Sequence, residues 1–254
     1  MSGAAAGPAR LSGASAPARA APPALAEVLA RNDVWRGGAL AEAALPGVPT
    51  GFADLDGALP GGGWPRGGLV ELLPARAGIG EMSLLMPALA RISADELAWV
   101  VCVAPPQQPY APAWAAAGVA LSRLLVTRAS GGDAAWACAR ALDTEGVGAL
   151  LAWLPAADAG SLRRLQLLAE RSRTLVFLFR PAAAAASASP APLRIGLEAQ
   201  AGGRLSLRLL KRRGGARAAP LDLDLTRPAP LRHVVAGPAF TPAAARSLSE
   251  PAGA

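Results

Sequence analysis

Residues 61–83 read GGGWPRGGLVELLPARAGIGEMS, and the fold follows from how this stretch divides. Gly61-Gly62-Gly63-Trp64-Pro65-Arg66-Gly67 is dense in turn formers, because Gly admits positive φ and Pro fixes its own. Leu69–Leu73 is a short apolar run with the length of a strand buried on both faces. Ala75–Gly80 is a loop of small residues. Glu81 opens a helix-like stretch to Ala94, with Pro87 as the expected kink or early end. Turn, buried strand, tight loop and helix, in that order, begin an α/β sheet.

Working outward, the same alternation continues. Strands are expected at Trp99–Val103, Leu124–Thr127, Val147–Trp153 and Thr174–Phe179. Between them fall a short helix Ala111–Ala117 ended by Gly118, a helix capped by Asp133 running to Thr144, and a helix capped by Asp158 or Ser161 running to Ser172. Apolar strands separated by helices make a mostly parallel sheet covered on both faces. The pattern then changes. Leu193, Ile195 and Leu197 alternate with polar residues, as do Leu205, Leu207 and Leu209, with Gly202-Gly203 between the two runs. That is an antiparallel hairpin with one wet face, and Leu221–Leu225 reads as another half-exposed strand. On the near side, residues 1–24 read as a disordered arm, 25–47 as an N-terminal helix and association segment, 48–227 as the core and 228–254 as a flexible tail.

Composition closes several doors. Of 25 basic residues only Lys211 is lysine, and His233 is the single histidine. A four-ligand zinc site has too few Cys and His residues, so no metal is expected. Cys102 and Cys138 suggest neither a disulfide framework nor a redox pair, which fits a reducing compartment. No apolar run reaches membrane-spanning length, and a cytoplasmic location is expected. The net charge of +7 is uneven, with −2 over residues 1–100, +3 over 101–180 and +6 over 181–254. The last third is therefore the candidate surface for a polyanion or an acidic partner. Its strip is Arg204, Arg208, Lys211, Arg212, Arg213 and Arg217, and a plain solvated edge remains the equal alternative.

The order of motifs carries a resemblance. Pro49-Thr50-Gly51-Phe52-Ala53-Asp54-Leu55-Asp56, the Gly61–Gly67 turn, Val70-Glu71-Leu72-Leu73 and the Ala75–Gly80 loop resemble the entry to the ATPase core of the RecA superfamily. The likeness extends loosely over residues 48–225. Together with Val34-Trp35-Arg36-Gly37, Pro109-Tyr110-Ala111-Pro112 and Leu209-Leu210-Lys211-Arg212-Arg213-Gly214-Gly215, the set most resembles ImuA-type proteins. These are RecA-like, assist translesion DNA synthesis and are often labelled SulA-like. The resemblance implies a RecA-like α/β core with a late antiparallel hairpin.

The departures from that pattern are chemical. In a working phosphate-binding loop, backbone N–H groups hold the phosphates, a lysine meets the β/γ oxygens and a hydroxyl meets magnesium. The matching segment is Ala75, Arg76, Ala77, Gly78, Ile79, Gly80, Glu81, Met82. Glu81 replaces the lysine, Met82 replaces the hydroxyl residue, and Ser83 comes one position late. Two like charges about 4 Å apart repel by about 4 kcal/mol at an effective dielectric of 20, so Glu81 would oppose a triphosphate. Glu81 also simply suits the first turn of a helix. Ala104-Pro105-Pro106-Gln107, Trp153-Leu154-Pro155 and Arg180-Pro181 replace the other catalytic positions the resemblance implies. The expectation is a non-enzymatic protein without cofactor. By the resemblance it is an adaptor for an ImuB-type pseudo-polymerase, an error-prone polymerase subunit and RecA itself. Val34, Trp35 and Trp64, beside Gly breaks, are candidate partner anchors, and weak non-specific DNA binding and self-association are further expectations. Trp99, Trp136 and Trp153 are expected in the core. Two alternatives stay open: a SulA-like cell-division inhibitor, and an ATPase with an atypical loop.

Overall fold

β1 (Gly68–Pro74) takes the centre of the sheet, as a strand with no polar face must. The structure, a computed structural model, describes residues 46–213 and 219–225. Expectations placed on Val34, Trp35, Arg217, His233 and the terminal segments lie outside the described residues. β2 (Trp99–Val103), β3 (Leu124–Thr127), β4 (Val147–Trp153), β5 (Leu175–Phe179), β6 (Leu193–Gln200), β7 (Arg204–Lys211) and β8 (Leu221–Asp224) complete one sheet in the order β3-β2-β4-β5-β1-β6-β7-β8. The pairings among β1 to β6 are all parallel, while β6 with β7 and β7 with β8 pair antiparallel. The protein is therefore α/β with a mostly parallel mixed sheet and an antiparallel C-terminal strand group.

Helices cover both faces. α1 (Ala53–Ala58), α2 (Glu81–Ala90) and α3 (Ala111–Ala116) bury Leu55, Leu84, Leu85, Leu89 and Trp114 on one side. α4 (Gly131–Leu142) and α5 (Ala159–Ser172) bury Cys138, Leu142, Leu162, Leu165 and Ala169 on the other. The Asp158 cap forms as expected, with Oδ1 accepting from the Ser161 N–H at 2.8 Å. Among the described residues no helix is long and apolar enough to cross a membrane.

Local expectations differ at four places. Pro87 does not end α2, which runs on to Ala90 and widens into a π turn over Arg91–Asp95. Packing of Leu84, Leu85 and Leu89 outweighs the backbone bond proline removes. Ser130, not Asp133, stands at the N-cap of α4, and Asp133 sits in the first turn, where its charge suits the helix dipole. The hairpin face expected to be wet is not wet throughout, since Arg194 and Ser206 are buried.

The fourth place is the tryptophans, which exchange roles. Trp64, expected to be partly exposed, is completely buried. Val48 and Trp64 exchange two backbone hydrogen bonds (2.8 and 2.7 Å), and Gly47 and Gly63 allow it, because a Cβ on Gly63 would come within 2.3 Å of the Val48 carbonyl. The indole is then driven edge-on into Phe177, at a centroid distance of 5.1 Å. Trp136, expected in the core, is 63% exposed. The buried stripe of α4 is Ala134, Cys138, Ala139 and Leu142, and Trp136 lies two residues, about 200° of helix, from both Ala134 and Cys138. Trp99 is also exposed, at the amino end of the internal strand β2, with Arg123 over its ring at 5.8 Å. Trp153 is half-buried and stacked on Phe179 at 4.5 Å.

Candidate functional site

The helix after β1 lies on one face of the sheet and the helix after β4 on the other, which opens a crevice at the carboxyl ends of the strands. A cleft of about 760 Å³ occupies it, lined by the Ala75–Ala77 loop, Ala104, the start of α4, Trp153–Asp158 and Phe179–Ala182. Its walls are mostly alanine, proline and aromatic side chains. Arg76, Glu81, Ser130, Asp158, Ser161 and Arg180 bring polar groups.

At the mouth of the loop Glu81 turns back on its own chain. Its carboxylate accepts from the Gly78 N–H at 2.9 Å and the Ile79 N–H at 2.8 Å, and the side chain is buried. Gly78 and Gly80 hold φ of +76° and +103°, which lets successive amides point inward. The loop's inward N–H groups are thus occupied by an anion the chain supplies itself. Met82 packs against the core beneath α2, Ser83 faces solvent, and Ala75 joins the sheet by donating to the Leu197 carbonyl.

The motif at Pro49–Asp56 is a structural latch. Asp56 Oδ1 accepts from the Thr50 N–H at 2.8 Å, and Thr50 Oγ1 accepts from the Phe52 N–H at 3.1 Å.

A buried charge cluster borders the cleft, and the sequence reading missed it. Glu71, in the middle of β1, is fully buried. Arg194 Nε donates to Glu71 Oε2 at 2.6 Å, Ser189 Oγ donates to Oε1 at 2.6 Å, and Arg180 Nη1 reaches Oε1 at 3.3 Å. Arg194 spends its remaining donors on the carbonyls of Ala184, Ala185 and Ser187. The Pro181–Pro192 segment is therefore a roof over Glu71. A glutamate inside a run otherwise suited to a two-sided buried strand was the available signal, since a buried carboxylate must be paired.

The basic strip is divided by a register shift in the hairpin next to Arg194. In-register partners share a sheet face, so Arg204, Arg208 and Lys211 stand together, but so do Glu198, Asp222 and Asp224. Arg208 and Glu198 approach to 3.9 Å, and Lys211 donates to the Ser189 carbonyl at 2.8 Å. Arg212 instead donates to the Ala58 carbonyl at the end of α1, at 2.6 Å. Arg213 is exposed.

A second surface lies over α4 and α5. Both helices return from carboxyl to amino ends of parallel strands, so they run side by side in one direction. Arg171 reaches Asp143 at 3.5 Å. Trp136 on α4 and Arg164 on α5 are both exposed. Arg140, Arg163 and Leu167 are exposed on the same two helices. Cys102 and Cys138 are buried and unpaired, and burial pushes each thiol up to about 12.

No protein-family model matches the chain. It is similar to the cell division inhibitor SulA of Edwardsiella piscicida, with 29% identity over 118 residues, 46% of this chain and 70% of that protein.

Proposed function

We propose that this chain is a RecA-like accessory protein of damage-induced translesion DNA synthesis, of the ImuA type, with no nucleotide chemistry of its own. The observation that carries the reading is Glu81. A strand–loop–helix unit sits where a nucleotide-binding fold would hold phosphates, yet its amides are held by the chain's own carboxylate. The similarity to a SulA supports a place in the SOS response, in keeping with the SulA-like label the ImuA type carries. The partners the resemblance implies are an ImuB-type pseudo-polymerase, an error-prone polymerase subunit and RecA. The protein acts on them by contact alone. The α4–α5 surface, with exposed Trp136 and several exposed arginines, has the composition of an interface hot spot and is where we place that contact. The hairpin strip, with acids interleaved among its bases, suits a mixed-charge protein surface better than a phosphate backbone.

The test has two arms. Purified protein should show no magnesium-dependent ATP hydrolysis, and hydrolysis abolished by Glu81→Ala would end the non-enzymatic reading. Pull-down from DNA-damaged cells should recover polymerase components and lose them with Trp136→Ala or Arg164→Glu. A second reading, cell-division inhibition, is favoured by the SulA similarity. Filamentation on overexpression with unchanged damage-induced mutagenesis would select it.

A further inference from the structure

We propose that the cleft at the carboxyl edge of the sheet binds a small organic monocarboxylate, its carboxylate on Arg180 and its apolar body against Trp153, Leu154 and Pro181. The argument starts from unequal pairing in the buried cluster. Arg194 and Ser189 take the two oxygens of Glu71 at 2.6 Å each, and Arg194 finds acceptors for its other nitrogens. One carboxylate is thereby matched to one guanidinium. Arg180 receives what is left: a 3.3 Å contact to Glu71 from Nη1 and the Ala157 carbonyl at 3.1 Å from Nη2. Its side chain is only 8% exposed, and its buried Nε–H has no acceptor. A buried cation without a full counter-charge and with an orphaned donor is costly, and the missing group is an acceptor carrying one negative charge.

Arg180 lines the cleft, so the acceptor can arrive from there. Nε has no open surface as the side chain stands, so a small turn of the guanidinium toward the cleft belongs to the proposal; Nε–H and Nη2–H then make the two-point fork by which arginine holds a carboxylate. The other charges in the cleft select a single charge over a multiple one. Glu81 and Asp158 also line it, Glu81 with both oxygens held by backbone N–H groups and Asp158 with one held by the Ser161 N–H and the other by the Ser161 hydroxyl, and both repel a phosphate more than a monocarboxylate. Arg76 stands exposed at the rim. The volume of about 760 Å³ suits a small molecule, and walls of Ala, Pro, Leu and aromatic side chains suit an apolar body. The proposal stands whether or not the chain serves translesion synthesis.

The experiment is calorimetric titration of the full chain with 1-naphthoate and with octanoate, with 1-naphthamide and inorganic phosphate as comparisons. The expected result is saturable one-to-one binding of a carboxylate, weakened at least about tenfold in the matched amide and in Arg180→Gln. Because Arg180→Gln also disturbs Glu71, Ala156→Trp serves as a second variant. Ala156 is an exposed cleft residue outside the cluster, and filling the cleft there should abolish binding with circular dichroism unchanged. Failure of both carboxylates to saturate, equal binding of the amide, undiminished binding in Ala156→Trp, or competition by phosphate would each overturn the proposal.

Discussion

Glu71 and Glu81 are ten positions apart, both buried, and show how the partners divide the work of one side chain. Glu81 sits at a helix start with two backbone amides, so removing it orphans donors without leaving a charge behind. Glu81→Ala should cost about 2 kcal/mol in denaturant unfolding, as for hydrogen bonds to a charged group. Glu81→Lys should be no better and should bring no ATP hydrolysis, because the hydroxyl position remains Met82. Glu71 neutralises guanidinium charge in the interior, and Glu71→Gln strands that charge. The expected loss is larger, about 3–5 kcal/mol, read in the same assay. The cysteines give a pH signature. Burial raises both thiols from 9.0 to about 12, so the unfolded chain loses those protons first as pH rises. Their contribution to stability is whole below pH 9.0 and is lost between 9.0 and about 12, visible as a falling melting temperature. At neutral pH neither should react with an aromatic disulfide reagent until the protein is unfolded.

Elements were legible in proportion to how completely burial dictated them. β2 and β4 lie at the residues expected because strands covered on both faces leave a nearly unbroken apolar run; β3 also lies where expected, although as an edge strand it is only half-buried. Trp64 and Trp136 were misread because nearby composition was allowed to stand for geometry. Gly residues beside Trp64 signalled a turn, but here they permit a backbone bridge that buries the ring. The helix of Trp136 was legible, and counting 100° steps from Cys138 would have put the ring outside. Trp64→Ala should cost about 3–5 kcal/mol and Trp136→Ala no more than about 0.5 kcal/mol, a contrast equilibrium unfolding will resolve. The charge cluster was legible only in part. Glu71 advertised itself, but Arg180 and Arg194 stand 109 and 123 residues away, and no local pattern joins them. At the start of α5, the Ser161 N–H, then the Ser161 hydroxyl, holds the Asp158 carboxyl below its ordinary 3.8. Asp158→Ala should therefore lower the melting temperature at neutral pH, with the difference whole above 3.8 and fading only as the pH falls below 3.8, where the folded carboxylate finally protonates and the cap is lost.

At the scale of the molecule, the strand order separates position in the chain from position in the sheet. β1 is the earliest strand of the sheet, yet its two neighbours are β5 and β6, whose first residues are Leu175 and Leu193. During synthesis Leu69–Leu73 leaves the ribosome long before either partner exists, at about 5–20 residues per second. For those seconds it is an apolar strand with both edges bare, the form most prone to pair with another chain. Glu71, still ionised and in water, interrupts that run as a gatekeeper charge would. The carboxylate that Arg194 later neutralises thus guards the nascent polypeptide first. An apolar replacement at Glu71 would therefore fail twice: it would strand Arg180 and Arg194 in the finished fold, and it would be expected to lower soluble yield during synthesis.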